Sequence, residues 1–364
     1  MCLPVFFLAL LFSLCAAKGS DPDSTARLFN STTAAIKDLP VFYEISDINL
    51  VDADHALDSF WAVNYIRTMD NRSFLVSANA IIRNGSATQR AGIMSLDDSS
   101  TLFATNYQNV GIVRENNGTR DPFNLTMPGG RFGLETMPHR AAAAAAAAAD
   151  SSSEALPPMR IFSHLPETEF DINLEFEGPV ILNAGLGSWL WAGGIQHQIS
   201  LPAARPSGTI VVDNSTLFID SSKSVTWYDR QWGPTMPDHF TWFGLYLTAE
   251  DGTESYISIW NWEDDINGNK SFATIQNQAG ISTVLPLSSF QPSKKDLFHS
   301  KVSGQAYAVH HDITLMDGSH LVVKSPRPDQ EFVVDNSRIG FYSGYVKVSG
   351  DYTGHGMVDI MPPM

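Results

Sequence analysis

Hydrophobic and polar positions alternate with a period of two along much of this 364-residue chain. Residues 207–213 (SGTIVVD), 254–262 (ESYISIWNW), 319–325 (SHLVVKS) and 342–350 (YSGYVKVSG) show it, each rich in β-branched or aromatic residues. Side chains on a strand point to opposite faces in turn, so this pattern predicts many half-buried antiparallel strands. Turn pairs punctuate the runs: Asn84-Gly85, Gly129-Gly130, Gly193-Gly194, Asp251-Gly252 and Asp317-Gly318. Long amphipathic helical stretches are scarce, and the expectation is an all-β sandwich or barrel protein.

The pattern also repeats. Residues 60–81 align without a gap on residues 241–262 and place Trp61 on Trp242, Tyr65 on Tyr246, Asp70 on Asp251 and Ser77 on Ser258. Each copy reads strand, tight turn, strand. Duplication predicts two related β-domains, residues 18–235 and 236–364, with the boundary near Pro234–Pro237. An Ala-rich insertion, residues 140–157, contains nine consecutive alanines and has no amphipathic face, so no chemistry is expected of it.

Composition narrows the partners. A formal charge of −16 with no Lys/Arg run argues against a nucleic-acid partner. Residues 1–17 read as a signal peptide: a short apolar run that ends in small residues. Both cysteines, Cys2 and Cys15, fall within it, so a mature chain would carry no disulfide and no thiol nucleophile. Seven N-x-[ST] sequons, at Asn30, Asn71, Asn84, Asn117, Asn124, Asn214 and Asn269, agree with passage through the secretory pathway, to the exterior or to a vesicle or vacuole. No stable membrane span is expected in the mature chain.

Nucleophile-elbow, phosphate-loop, dinucleotide and zinc-protease motifs are all missing from the sequence. The ten histidines are dispersed, and no metal or cofactor is expected. The densest chemistry lies in residues 224–233, SVTWYDRQWG. As a strand it puts Trp227, Asp229 and Gln231 on one face and Tyr228, Arg230 and Trp232 on the other. A barrel strand turns one face inward, so Trp227, Asp229 and Gln231 are expected on a cavity wall, where desolvation would raise the Asp229 pKa. Alternatively Asp229 pairs with a buried arginine or caps backbone amides and takes no part in turnover.

This stretch, together with residues 187–215 and the Gly-rich 340–360, resembles a lipocalin-like family that includes bacterial carotenoid hydratases, secreted hydrolase-like proteins and fungal Diels–Alderases. The resemblance implies two tandem lipocalin- or calycin-like antiparallel β-barrels, with a ligand cavity in the first or between the two. In the hydratases the aspartate that matches Asp229 is the acid, with a tyrosine two residues before it and an upstream histidine. Trp227 stands at the tyrosine position here, and His197 is an approximate match for the histidine. The tryptophan shifts the implied chemistry towards a cofactor-free Diels–Alder or hetero-Diels–Alder cycloaddition. The nearest likeness is to secreted fungal enzymes of tropolonic sesquiterpenoid pathways. A pocket that orients diene and dienophile and hydrogen-bonds a carbonyl suits that reaction. Its substrate would be a small apolar polyene, terpene or quinone methide.

Asp229 and Gln231 are the predicted catalytic groups. Trp227, Trp189, Trp191, His197, Tyr246, Trp260 and Tyr342 are the predicted substrate contacts. Trp61 and Trp242, as equivalent repeat positions, are expected to pack the fold. The other readings are a hydratase or hydrolase with Asp229 as acid, and a non-catalytic lipocalin-like carrier.

Overall fold

Both copies of the duplicated pattern fold as hairpins. Leu57–Arg67 pairs antiparallel with Ser73–Arg83, and His239–Ala249 pairs with Glu254–Asp264. The turns use the residues the sequence supplies. Asn71 takes φ 71° in the first, and Gly252 takes φ 85° in the second. This computed structural model describes residues 27–30, 57–83, 86–97, 102–110, 113–114, 124–127, 129–137, 158–235, 237, 239–264, 268–278, 280–333 and 340–363. The expected signal peptide, the whole Ala-rich insertion and the sequons at Asn84 and Asn117 lie outside them.

Around each hairpin the chain builds an antiparallel sheet. In the first sheet the order runs Leu102–Val110, Ser86–Ser95, Ser73–Arg83, Leu57–Arg67, Val225–Gly233, Gly194–Val212, Phe170–Phe176, Met159–Ser163, Phe132–Thr136, Asn124–Thr126 and Val113–Arg114. Among the described residues its two end strands do not pair, so it curls without closing. The second sheet closes. From Ile281–Pro292 the order runs through Gly268–Asn277, Glu254–Asp264, His239–Ala249, Tyr352–Met361, Gly340–Gly350, His320–Lys324 and His310–Leu315, which pairs back with Ile281–Pro292. Arg27–Asn30 adds to this barrel along Ile281–Pro292, although it precedes the first sheet in the chain. The all-β, two-unit architecture matches the expected fold class, with one closed barrel and one open, curled sheet.

Three apolar clusters follow from the alternation. One fills the curl of the first sheet and includes Phe60, Ile199, Leu201, Tyr228 and Trp232. A second fills the closed barrel with Phe243, Leu245, Ile257, Val358 and Ile360. The third lies where the outer faces of the two sheets meet. It holds Trp61, Trp189, Trp191, Trp227, Trp242, Trp260 and Trp262, seven of the chain's eight tryptophans. Aromatic residues bury large areas with few rotors, which suits an interface that must be both apolar and rigid.

Candidate active site at the junction of the two sheets

The strand Val225–Gly233 is covered on both faces. Its partners are Leu57–Arg67 on one edge and Gly194–Val212 on the other, with Trp61 and Ser200 in register with Asp229. Tyr228 and Trp232 enter the core of the first sheet. Between them Arg230, also buried, forms an ion pair with Asp58, lies 4.2 Å over the Phe60 ring and 5.0 Å over Trp232, and donates to the Gln231 carbonyl at 2.6 Å.

The Trp227, Asp229 and Gln231 face does not enter the curl of the first sheet. It points out of it, towards the second barrel. The curl of this sheet is filled by aliphatic and aromatic side chains, which leaves the outer face as the place for a cavity.

The cavity on that face is narrow, about 40 Å³. From the first sheet it is lined by Leu57, Ser59, Trp61, Ile81, Arg90, Trp191, Gln198, Asp229 and Gln231. The second barrel supplies Phe240, Trp242, Trp260, Phe341 and Asp359. Trp61 and Trp242, expected to pack the fold, are both on its wall. Behind them their repeat partners Tyr65 and Tyr246 meet edge to face across the junction, with ring centroids 5.2 Å apart.

Interdomain hydrogen bonds fix the walls. Trp260 Nε1 donates to Gln198 Oε1 at 2.7 Å, and Tyr246 Oη donates to the Pro202 carbonyl at 2.9 Å. Gly244 leaves room for the neighbouring rings. A Cβ there would lie 2.8 Å from Trp242 Cη2 and 3.1 Å from Trp227 Cε2.

Asp229 is buried and receives hydrogen bonds from neutral groups alone: the Trp227 indole N–H at 2.9 Å, Ser200 and Gln198. Desolvation outweighs them and pushes the carboxyl up to about 7. The alternative expectation, a pairing with a buried arginine, belongs to Asp58 instead.

A second carboxyl, Asp359, is also buried and also raised by burial. The Arg90 guanidinium and the Ser343 hydroxyl, which donates to Asp359 Oδ1, pull it back down. Arg90 is held between the Trp61 and Phe341 rings, at 4.7 and 4.6 Å, and its Nε donates to Asn79 Oδ1 at 3.0 Å. Three buried donors on the lining have no hydrogen-bond partner among the described residues: Gln231 Nε2, Trp61 Nε1 and Trp191 Nε1. Buried polar groups are nearly always satisfied, so such donors mark where a ligand or water oxygen belongs.

The other predicted contacts fall in several places. Trp191 and Trp260 line the cavity, and Trp227 backs it through its bond to Asp229. Trp189 packs behind Trp191 and Trp260, at 5.6 and 5.7 Å, and Tyr246 packs behind Trp227 at 5.6 Å. His197 lies in register with Trp232 and stacks on it at 5.2 Å, on the face of its strand opposite Gln198, with Ser188 Oγ 2.8 Å from its Nδ1. Tyr342 lies in the core of the second barrel, where it receives a bond from Gln330 at 3.2 Å.

Strand alternation accounts for both displacements. His197 is one residue from Gln198, and Tyr342 is one residue from Phe341. Sequence reasoning missed Arg90, Gln198, Phe240, Phe341 and Asp359. Among the described residues no group of three or more His, Cys, Asp or Glu side chains is placed to hold a metal ion, and no helix is long and apolar enough to cross a membrane.

The sequence model of the AttH-like family matches residues 123–361. A dehydratase of Emericella nidulans, asqC, is 27% identical over 203 residues, 54% of this chain and 57% of that protein, so the match spans just over half of that relative's length. A kievitone hydratase of Fusarium solani subsp. phaseoli is 25% identical over 333 residues, 89% of this chain and 87% of that one. Among solved structures, kievitone hydratase from Nectria haematococca superposes with a TM-score of 0.76 at 25% identity, covering 91% of this chain and 96% of that one. An AttH protein of Nitrosomonas europaea superposes with a TM-score of 0.68 at 14% identity, covering 90% and 99%, a likeness of fold.

Proposed function

The chain belongs to the AttH-like family, and from that premise we propose that it is a hydro-lyase: an enzyme that adds water to, or removes it from, a small apolar olefin or the matching alcohol. Asp229 is the general acid. The observation that carries this reading is a buried carboxyl, held by neutral donors and pushed up to about 7, on the wall of an aromatic cavity. A group that keeps its proton near neutrality and can still release it is the acid such a step needs.

In hydration the Asp229 O–H gives its proton to one alkene carbon, and the π electrons form the new C–H bond. The cation left on the other carbon faces the rings of Trp61, Trp191, Trp242 and Trp260, whose faces stabilise positive charge. Water then attacks that carbon and loses a proton. In dehydration the acid acts on oxygen instead: the hydroxyl takes the Asp229 proton and leaves as water, and the neighbouring carbon loses a proton as its C–H electrons form the π bond. The hydratase and the dehydratase among the relatives support both directions. The exposed sequons at Asn71, Asn214 and Asn269 support passage through the secretory pathway.

The cycloaddition reading keeps one specific support. Gln231 Nε2, Trp61 Nε1 and Trp191 Nε1 suit a carbonyl oxygen, as an enone or quinone methide would present. Incubation with candidate olefins, kievitone among them, in ¹⁸O-labelled water separates the two. Hydration puts the label in the product, and Asp229→Asn lowers turnover by about 10²-fold or more. A product of summed diene and dienophile mass without label sinks the hydro-lyase reading.

A further inference from the structure

The duplicated hairpins relate more than their tryptophans. Each is flanked on the same side by one further strand: Val225–Gly233 along Leu57–Arg67, and Tyr352–Met361 along His239–Ala249. Asp229 lies in register with Trp61, and Asp359 lies in register with Trp242. The repeat equates those two tryptophans, so the two aspartates are equivalent positions of the two units. Their neighbours agree. Tyr228 enters the core of the first sheet, and Val358 and Ile360 enter the core of the second barrel, so both carboxyls point out of their own sheet and into the junction. Duplication has thus placed two carboxyl groups in one cavity from opposite walls.

Their surroundings differ in the way that divides acid from base. Asp229 has neutral partners. Asp359 faces the guanidinium of Arg90, which reaches it from Ser86–Ser95, and Ser343 Oγ, which accepts a 3.4 Å bond from Arg90 Nη1 and donates to Asp359. The other titratable group that feels Asp359 is Tyr307, in the core of the second barrel. Among the described residues the lining presents three ionisable side chains: Arg90, Asp229 and Asp359. Hydration must lose a proton from the attacking water, and dehydration must lose one from carbon. Neither His197 nor a tyrosine at position 227 is in the cavity to take it.

We infer that Asp359 is a second catalytic carboxyl: the base that takes a proton from the attacking water in hydration, or from the carbon beside the departing hydroxyl in dehydration. Arg90 is its positioning residue. This rests on the hydro-lyase reading. The protons balance. In hydration Asp229 ends as carboxylate and Asp359 as acid, and one proton passed back through water restores both. In dehydration the Asp229 proton leaves in the water, and the proton taken by Asp359 returns by the same route.

The test compares Asp359→Asn, Ser343→Ala and Asp229→Asn by turnover in ¹⁸O-labelled water and by infrared difference spectra near pH 6. Asp359→Asn lowers kcat by about 10²-fold or more with KM nearly unchanged, and its spectrum loses an ionised carboxylate band, whereas Asp229→Asn loses a protonated carboxyl band. Ser343→Ala keeps the carboxyl but removes its donor. It leaves KM in place and moves the acid-side limb of the kcat/KM profile to higher pH, which keeps the inference testable if Asp359→Asn folds poorly. Near-wild-type kcat in Asp359→Asn beside a dead Asp229→Asn overturns the base role, as does loss of a protonated band in Asp359→Asn. An Asp229→Asn enzyme that turns over normally instead removes the hydro-lyase reading, and the two failures are distinct.

Discussion

Asp229→Asn separates the two consequences of burying an acid, because it removes the chemistry and a stability penalty together. The folded carboxyl is raised from 3.8 to about 7, so between those values the folded state binds more protons than the unfolded state. Unfolding free energy therefore falls as pH rises through this window, and the penalty is complete above the folded pKa. A shift of this size is worth about 4 kcal/mol in full, and about 3 kcal/mol of it develops between about pH 5 and about pH 8.

Asparagine has the same shape and no charge to desolvate. Urea denaturation of wild type and variant at those two pH values isolates the effect, because every other titrating group, Asp359 included, cancels in the difference. Asp229→Asn is expected to gain on wild type by about 3 kcal/mol on going from about pH 5 to about pH 8, while turnover is lost. A stability difference that does not change with pH refutes the reasoning, since it means that Asp229 titrates alike in both states. A gain in stability with loss of activity is the signature of a group placed for function rather than for folding.

Arg230 and Asp58 form a fully buried pair in the core of the first sheet. Arg230→Met strands the Asp58 carboxylate and is expected to lower stability by about 3–5 kcal/mol, with much of it regained when Asp58→Asn is added; a loss under about 1 kcal/mol in the urea midpoint contradicts the pairing. Gly244→Ala forces a methyl against Trp242 and Trp227, at about 1–3 kcal/mol. In a Trp227→Phe background that cost should shrink, and additive effects would show that the two side chains do not share the space.

How far the sequence reaches is clearest at residues 224–233. Period-two alternation separated Trp227, Asp229 and Gln231 from Tyr228, Arg230 and Trp232, and the strand keeps that separation. The same rule, together with the Asp70-Asn71 and Asp251-Gly252 turns, determined the two hairpins, because side-chain parity and turn geometry are local properties of the backbone. The gap-free repeat determined that Trp61 and Trp242 occupy equivalent places.

Parity cannot say which face meets which neighbour. Only the tertiary structure turned the Asp229 face out of its own sheet and towards the second barrel, because aliphatic side chains had filled the curl behind it. It also decided that Asp58 rather than Asp229 neutralises a buried arginine, and that His197 and Tyr342 lie one residue out of phase with the cavity. Arg90 and Asp359 come from strands more than a hundred residues from Asp229 in either direction. Their meeting depends on two sheets docking through their outer faces, and no pattern within a single strand encodes that. The burial that gives Asp229 its proton near neutrality is a property of that docking, and the strand alone determines only that the carboxyl is on the face that docks.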